Sequence, residues 1–586
     1  MHDLVIHDAT IVDGTGRPRR QGDITIDAGR ISGVTSPGGV KDGARETIEA
    51  SGLVVTPGFV DIHTHYDGQA TWDPHLKPSC WHGVTTVVFG NCGVGFAPVR
   101  PDQHDWLIGL MEGVEDIPGS ALAQGIRWEW ETFPEFLDAL DRMPRALDIG
   151  ALVPHGALRA YVMGERGARN QPARPDDIAA MAAILREAMN AGAVGFSTSR
   201  TAGHRAIDGE PVPGTFAAED ELFGIGRVLG ELGRGVFELS QAGVGGATAG
   251  DPIDAPEKEV LWMRRLSAAI RRPVTFLLMQ HDQDPEMWRR LLELSVRAGE
   301  DGAPLVPQVA ARPFGMLVGH QSRANPFAAR PSYQAIAHLA LGERVARLRD
   351  PELRRRILAE RPAGAAAPGT LAANLHSSMY EKLFPLGEPP DYEPGPDESV
   401  AAIAVRERRP AEEVAYDLML RHDGRELLIY TLLNYSGFSA EPLREMILHP
   451  ATVLGLGDGG AHCGIVCDAS MTTFMLTHWA RDRRRGPRIP LEVAVKRLTH
   501  DPAALFGLAD RGKIAPGMKA DLNLIEFERL GLRLPEMAFD LPGGARRLLQ
   551  RADGYVATLV AGEAVMRDGE PTDARPGHVV RSGRAR

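Results

Sequence analysis

Two histidines near the start of the chain have the spacing of a metal site. His63 and His65 are separated by a single residue, Thr64, so their imidazoles point to the same side of an extended strand. They end an apolar run, residues 54–65, and Asp61 and Asp67 flank them. Imidazole nitrogens are common ligands of zinc. We therefore predict a metal site at the end of this strand, in preference to a solvent-facing or buried histidine pair.

Two other residues of suitable chemistry also follow apolar runs. Cys92 ends the run 83–92, and a thiolate is a good zinc ligand, although an unreactive buried cysteine is the commoner state. Asp458 ends the run 453–458. A carboxylate there could accept a proton from a metal-activated water and pass it to a departing amine. The alternative for Asp458 is a turn or helix-capping aspartate before two glycines.

The elements that must position these residues are short apolar runs, mostly separated by segments with helical periodicity. This alternation predicts an α/β fold, a (β/α)8 TIM-like barrel, whose catalytic residues stand at the carboxyl ends of the strands. The eight runs are 54–65, 83–92, 147–154, 193–199, 235–240, 273–280, 304–310 and 453–458.

The two ends of the chain read as short β-strands separated by turns. We predict that residues 1–55 and 511–586 form one small β-sandwich domain built from both termini. The barrel then spans residues 56–510. Within it, residues 311–452 contain no convincing barrel strand and form a long insertion between strands seven and eight. Such an insertion would cap the barrel mouth or set substrate specificity.

Composition narrows the class of protein. The 586 residues are 43% hydrophobic and 24% charged, which is typical of a globular chain, and the net charge of −12 argues against nucleic-acid binding. Four cysteines cannot form a disulfide framework, and they fit a reducing compartment. We find neither a signal peptide nor an apolar run of the roughly 20 residues that span a bilayer. A cytoplasmic location without membrane partners is expected.

The segment 57–65, PGFVDIHTH, resembles the first strand of the amidohydrolase superfamily. Other motifs are similar to its N-acyl-D-amino-acid deacylase (D-aminoacylase) branch. They are GVTTVVFGNCG at 83–93, VEDIP at 114–118, HGALR at 155–159, GFSTS at 195–199, DGGAH at 458–462 and RGKIAPG at 511–517.

The resemblance implies hydrolysis of the amide bond of N-acyl amino acids, often of D configuration. It implies one or two divalent ions, most often zinc, bound by His63, His65 and Cys92, with Asp458 as catalytic general base and acid and as a further ligand. The expected partner is a small-molecule substrate, and self-association into a homo-oligomer is left open.

The sequence departs from the family at strands five and six, where the family supplies two more metal-binding histidines. Residues 236–241, VFELSQ, contain none, and in residues 275–282 the matching position is either His281 or Gln280. Three interpretations stay open. One metal is held by His63, His65, Cys92 and Asp458, or His281 joins them, or no metal is held firmly.

Substrate contacts are less determined. Arg159 could clamp a substrate carboxylate or form a structural ion pair, Ser197 could line the pocket, and His462 could orient Asp458 or contact substrate. Two other functions are weighed. One is hydrolysis of a cyclic amide, of the dihydroorotase or hydantoinase type, although no lysine stands in the strand-four motif for a carboxylated-lysine bridge. The other is a non-catalytic barrel that binds a small molecule after losing a metal ligand.

Overall fold

A computed structural model describes residues 1–245, 255–361 and 377–583. In that part of the chain, every helix is too short or too polar to span a membrane. Five strands come first: β1 (His2–Ile11), β2 (Arg20–Asp27), β3 (Arg30–Thr35), β4 (Ala44–Glu49) and β5 (Val54–Pro57). The central strands are β6 (Phe59–Asp61), β7 (Val84–Phe89), β8 (Asp148–Pro154), β9 (Gly195–Ser199), β10 (Val236–Ser240), β11 (Val274–Leu277), β12 (Leu305–Val309), β13 (Phe314–Val318), β14 (Leu383–Pro385), β15 (Leu428–Leu433) and β16 (Val453–Leu454). The last are β17 (Leu522–Ile525), β18 (Gly531–Leu532), β19 (Glu536–Leu541), β20 (Ala545–Leu549), β21 (Ala552–Asp553), β22 (Tyr555–Val560), β23 (Glu563–Arg567) and β24 (Glu570–Pro571).

Eight parallel strands form the barrel, in the order β6 to β12 and then β16. They are short and rich in β-branched residues, and β7 (VTTVVF) is buried along its whole length, as expected for a strand covered on both faces. Valines and isoleucines of several strands, such as Val60, Ile62 and Val236, fill the interior. The predicted barrel is confirmed.

The barrel closes at its mouth, between the first and last strands. Thr64 pairs in parallel with Gly459. The His65 amide donates to the Gly459 carbonyl at 2.8 Å, and the Asp458 amide donates to the His63 carbonyl at 3.0 Å. Closure therefore brings Asp458 beside the histidine pair, although about 390 residues separate them in the chain.

Helices cover the outside of the barrel. Helix Pro175–Ala191 shows why they form where they do: proline opens it, Asp176 and Asp177 stand in its first turn, and Gly192 ends it at a φ of 122°. The helices of the barrel region are His104–Glu115, Gly119–Gly125, Phe133–Arg142, His155–Met163, Glu165–Ala168, Pro175–Ala191, Glu219–Leu232, Ala255–Ile270, Met287–Glu300, Glu441–Leu448, Met471–Phe474, Leu491–Leu498 and His500–Leu505, with a π-helix at Met475–Asp482.

The two ends of the chain meet in one nine-stranded sheet. It runs β24, β23, β22, β17, β5, β1, β2, β3, with β4 paired to β1, so β17 from the C-terminal segment lies directly against β5. This gives the additional β domain expected from both termini. The sequence predicts that the whole segment 511–586 belongs to this domain. In the structure, β18 pairs with β21 and β19 pairs with β20, outside the nine-stranded sheet. The reason is burial, because Leu530, Leu548 and Leu549 belong to the large hydrophobic cluster that also contains the helices around the barrel.

The segment between β12 and β16 forms a subdomain of its own. β13, β15 and β14 make a three-stranded antiparallel sheet, and Phe327, Leu348 and Tyr416 belong to a separate hydrophobic cluster. Arg323 donates its amide to the Gly464 carbonyl at 3.0 Å, which places this subdomain against the loop that follows Asp458. Residues 362–376 of the segment lie outside the described part. Its helices are Pro331–Gln334, Leu341–Leu348, Pro351–Ala359, Val400–Glu407, Ala411–Met419 and Arg421–Gly424.

Candidate metal centre

Four predicted residues converge at the barrel mouth. In the described part of the chain, the ligand atoms of His63, His65 and Cys92 lie within 4.8 Å of one another. Cys92 Sγ is 3.4 Å from His63 Nε2. Asp458 Oδ1 is 3.7 Å from His63 Nε2 and 3.8 Å from His65 Nε2. Two imidazoles, a thiol and a carboxylate thus face one small volume.

The turn after β7 fixes Cys92. Asn91–Gly93 forms a 3-10 turn in which Cys92 has a φ of 55°, the left-handed region that side chains with a β-carbon rarely adopt. The Asn91 side-chain amide donates to the Thr64 carbonyl at 3.1 Å, which ties this turn to the histidine pair. Ser197 Oγ accepts from the Gly93 amide at 3.2 Å and donates to the Gly90 carbonyl.

Both imidazoles present Nε2 to this volume because buried acceptors face their Nδ1 atoms. His63 Nδ1 lies 3.0 Å from Gln308 Oε1 and 3.8 Å from Glu238 Oε1. His65 Nδ1 lies 3.4 Å from Glu115 Oε1. The hydrogen bond between His63 Nδ1 and Gln308 favours the tautomer with the proton on Nδ1 and leaves the Nε2 lone pair for a metal. Burial lowers the pKa of His63 to about 3, so its imidazole is neutral at ordinary pH.

These distances fit a divalent ion. Tetrahedral coordination at the usual zinc–nitrogen and zinc–sulfur lengths puts neighbouring ligand atoms about 3.3 to 3.6 Å apart. The observed separations of Nε2 from Sγ and from Oδ1 are 3.4 to 3.8 Å. A small contraction around the ion would complete the site.

The charges also fit a cation. Glu115, Glu238 and Asp458 are enclosed, and burial raises the pKa of each, that of Glu238 to about 8. In the described part of the chain, their ion-pair contacts are with histidines and never with lysine or arginine. Among the described residues, Glu115 Oε1 and Glu238 Oε1 have no hydrogen-bond partner. Buried carboxylates are costly without a counter-charge, and a divalent ion would supply it.

His281 is not part of the cluster of His63, His65 and Cys92 in the described residues. It is buried and lies four residues after the end of β11. Its neighbour Gln280 is hydrogen-bonded to the inserted subdomain. The backbone amide of Gln280 donates to Asn434 Oδ1 at 2.7 Å, and its side-chain oxygen accepts from the Ser436 backbone amide at 3.2 Å. The predicted role of His281 as a ligand therefore has no support from the geometry.

Arg159 does not have the surroundings expected of a substrate clamp. Its side chain is 1% exposed, and its Nε lies 2.8 Å from Glu221 Oε1. His155 Nε2 lies 2.9 Å from the same oxygen. Arg159 therefore forms a structural ion pair, the second of its two predicted roles. A buried guanidinium needs such a carboxylate partner.

Ser197 and His462 lie closer to the centre. Ser197 is fully buried and holds both ends of the Cys92 turn, so it supports a ligand and does not line a pocket. His462 Nε2 lies 3.8 Å from Glu115 Oε2, and its side chain is 31% exposed. Because Glu115 also faces His65, one carboxylate links a candidate ligand to a histidine that substrate could reach.

Sequence reasoning missed three residues of the centre: Glu115, Glu238 and Gln308. Glu115 stands in the VEDIP motif at 114–118, which indicates the family but not a role for the glutamate. Glu238 is an acidic residue inside an apolar strand. Glutamate is rarely buried without a partner or a function, so this pattern could have identified it. Gln308, in the run 304–310, carries no such signal.

Comparison with known proteins identifies the family. The Amidohydrolase family profile matches residues 46–566. The chain belongs to the amidohydrolase family. It is a hydrolase of carbon–nitrogen bonds other than peptide bonds. An N-acyl-D-glutamate deacylase from Alcaligenes xylosoxydans xylosoxydans is 27% identical over 589 residues, which cover 99% of this chain and 96% of that protein.

Solved structures of amidohydrolases share the fold. A D-aminoacylase with a binuclear metal centre superposes with a TM-score of 0.65 at 22% identity, covering 99% of this chain and 100% of that one. An N-acyl-D-glutamate deacylase from Bordetella bronchiseptica, in complex with zinc and a phosphonate inhibitor, gives a TM-score of 0.62 at 24% identity, with the same coverage. At these identities, the likeness establishes the architecture alone.

Proposed function

We propose that this amidohydrolase hydrolyses the amide bond of N-acyl amino acids and prefers N-acyl-D-amino acids. It uses a divalent metal ion, and zinc is the first candidate. The observation that carries the proposal is the convergence of His63, His65 and Cys92, whose ligand atoms lie within 4.8 Å of one another, with Asp458 Oδ1 at 3.7 and 3.8 Å from the two Nε2 atoms. A ligand set of imidazole and thiolate favours zinc over magnesium or calcium.

In this mechanism, an ion held by these four residues would acidify water and polarise the scissile carbonyl. Asp458 accepts the proton of the attacking water and returns it to the amine nitrogen as the C–N bond breaks. Its backbone keeps the carboxylate in place, because its amide is bonded to the His63 carbonyl at 3.0 Å. The products are a carboxylate and a free amino acid.

The substrate class is supported by the relatives. The N-acyl-D-glutamate deacylase matches this chain from end to end, and the motifs at the metal centre resemble the same branch. Hydrolysis of a cyclic amide is not favoured, since β9 (GFSTS) carries no lysine that could become a carboxylated bridge. The ligand geometry favours a catalytic centre over a barrel that only binds a small molecule.

The direct test is hydrolysis of a panel of N-acyl amino acids by the purified protein. We expect release of amino acid from N-acetyl-D-amino acids, with weaker activity on the L enantiomers. Activity should disappear after chelation and return when zinc is added. A metal-loaded protein that cleaves no member of the panel but opens dihydroorotate or a hydantoin would replace this proposal with the cyclic-amide one.

Two substitutions separate metal binding from proton transfer. Asp458→Asn should keep zinc through the other three ligands but lose about 10²- to 10⁴-fold in kcat, because the amide cannot take up the proton. His63→Ala should lose zinc as well as activity. Elemental analysis and steady-state kinetics measure the two effects. Asp301→Asn, at an exposed ion pair with Arg264, is the control and should match the wild type.

A further inference from the structure

Glu238 is a buried carboxylate without a structural counter-charge. It lies on β10 in the barrel wall with no exposed surface. Two buried glutamates away from the metal centre face a guanidinium: Glu221 lies 2.8 Å from Arg159, and Glu393 lies 3.0 Å from Arg483. Glu238 has no such partner in the described part of the chain, so an ordinary structural ion pair does not explain its burial.

Its contacts are with two candidate metal ligands. Oε2 accepts a hydrogen bond from the Cys92 amide at 3.0 Å. Oε1 lies 3.8 Å from His63 Nδ1 and has no hydrogen-bond partner within residues 1–245, 255–361 and 377–583. The first contact holds the backbone of a residue whose φ of 55° needs outside support. The second places a carboxyl oxygen behind the imidazole whose Nε2 faces the thiol.

Gln308 shares one of these tasks but not the other. Its Oε1 lies 3.0 Å from the same His63 nitrogen, closer than Glu238. The Cys92 amide, in contrast, is bonded to Glu238. Loss of Glu238 should therefore disturb the Cys92 turn more than the His63 imidazole, which keeps Gln308 as its acceptor.

We propose that Glu238 is a positioning residue of the metal centre, holding the Cys92 turn and the His63 imidazole so that Sγ and Nε2 face the same ion. The proposal rests on the proposed function only in requiring a metal at this site. Partners of this kind usually change metal affinity by about 10- to 100-fold when they are removed.

The test is metal binding by the full-length protein after chelation, without substrate. Zinc affinity is measured by competition with a chromophoric chelator. Glu238→Gln keeps an oxygen for the Cys92 amide but loses the charge, and we expect about tenfold weaker zinc binding. Glu238→Ala loses both, and we expect about 100-fold weaker binding.

Cobalt gives a readout that a merely structural role would not move. With Co²⁺ bound, the thiolate-to-cobalt charge-transfer band reports the Cys92 bond. In Glu238→Ala, this band should lose intensity relative to the visible ligand-field bands, while Glu238→Gln should retain most of it. The matched control is Glu221→Gln, a buried glutamate without contact to the four ligands, which should bind both metals as the wild type does.

Wild-type affinities and an unchanged charge-transfer band in both Glu238 variants would overturn the proposal. If Glu238→Ala fails to fold, Glu238→Gln decides, because glutamine has nearly the same shape. The outcome is separable from that of the proposed function. A protein that binds zinc through Glu238-dependent ligands and cleaves no N-acyl amino acid would refute the substrate and leave this role standing.

Discussion

At the scale of single residues, the centre depends on backbone conformations that are costly for side chains with a β-carbon. Cys92, Asp458 and His462 have φ values of 55°, 45° and 51°. Each left-handed residue of this kind costs about 1–2 kcal/mol, which surrounding contacts must offset. The Glu238 and Ser197 contacts do so for the Cys92 turn, and the bond from the Asp458 amide to His63 does so at the barrel seam. These contacts hold the backbone of Cys92 and Asp458 close to a ligand arrangement before any ion binds.

Arg159 allows a residue-scale test of structural against substrate-binding roles. Arg159→Leu should leave Glu221 buried without its arginine partner and lower the free energy of unfolding by about 3–5 kcal/mol. Where the variant is folded, KM should be unchanged. Denaturant titration and kinetics at low temperature measure both quantities. Arg169→Leu, at a half-exposed ion pair, should change neither. A raised KM with wild-type stability would restore the substrate clamp.

The sequence predicted the ligands better than their supports. His63, His65, Cys92 and Asp458 each end an apolar run, so a barrel alone predicts that they meet at the mouth. Glu115 ends a helix and Glu238 lies within a strand, and their importance comes only from which imidazole or amide each faces. Those contacts depend on how distant elements pack, which local pattern does not report.

At the scale of elements, the segment that follows the last barrel strand, β16, sets the position of Asp458, and it has no room for a side chain at Gly457. A Cβ there would lie 2.0 Å from Asp61 Oδ2. Gly457→Ala must therefore displace Asp61 or the strand end that carries Asp458. We expect at least a tenfold loss of kcat, by misplacement of the catalytic group.

Zinc content and kcat of Gly457→Ala should be compared with those of Gly342→Ala. The control glycine lies in helix Leu341–Leu348, and an added Cβ meets no atom within 4 Å, so its stability should be unchanged or slightly higher. Wild-type turnover in Gly457→Ala would mean that the strand end adapts without moving Asp458.

The strand pattern was predicted well in the barrel and less well at its ends. The predicted runs 193–199 and 235–240 correspond to β9 and β10. The run 54–65 instead divides into β5, which joins the terminal sheet, and β6, which joins the barrel. A continuous apolar run cannot show that its two halves pair with different sheets. At the start of the chain, where several short strands are predicted, β1 is one strand of ten residues with a bulge between Ile6 and Ala9.

At the scale of the whole molecule, a buried charge cluster joins the barrel to the C-terminal segment. Asp148, on β8, lies 2.5 Å from both Arg511 Nη1 and Lys519 Nζ, and it is fully buried. Arg511 and Lys519 lead into β17 of the terminal sheet. Arg511 of the RGKIAPG motif at 511–517 thus links the two domains through Asp148. The sequence did not predict this pair, because the two residues are more than 360 positions apart.

Asp148→Asn should weaken this junction and do so in a pH-dependent way. Burial opposes ionisation, but Lys519 and Arg511 outweigh it and lower the pKa of Asp148 below its ordinary value. A carboxyl whose pKa is lowered by folding contributes its full stability above the unfolded pKa, about 4, and loses it as the pH falls toward the folded pKa. At pH 7, we expect the variant to be less stable by about 3 kcal/mol, since two buried cations lose their shared partner.

Denaturant midpoints of wild type and variant, compared between pH 7 and pH 3, measure this contribution. The difference between the two proteins should be constant from pH 7 down to about pH 5 and should shrink below about pH 4. Asp553→Asn removes an exposed partner of Arg533 and should change stability by less than about 1 kcal/mol at any pH. A gap between wild type and Asp148→Asn that stays the same at pH 3 would show that the carboxylate acts through packing or hydrogen bonding, and that its charge does not hold the two domains together.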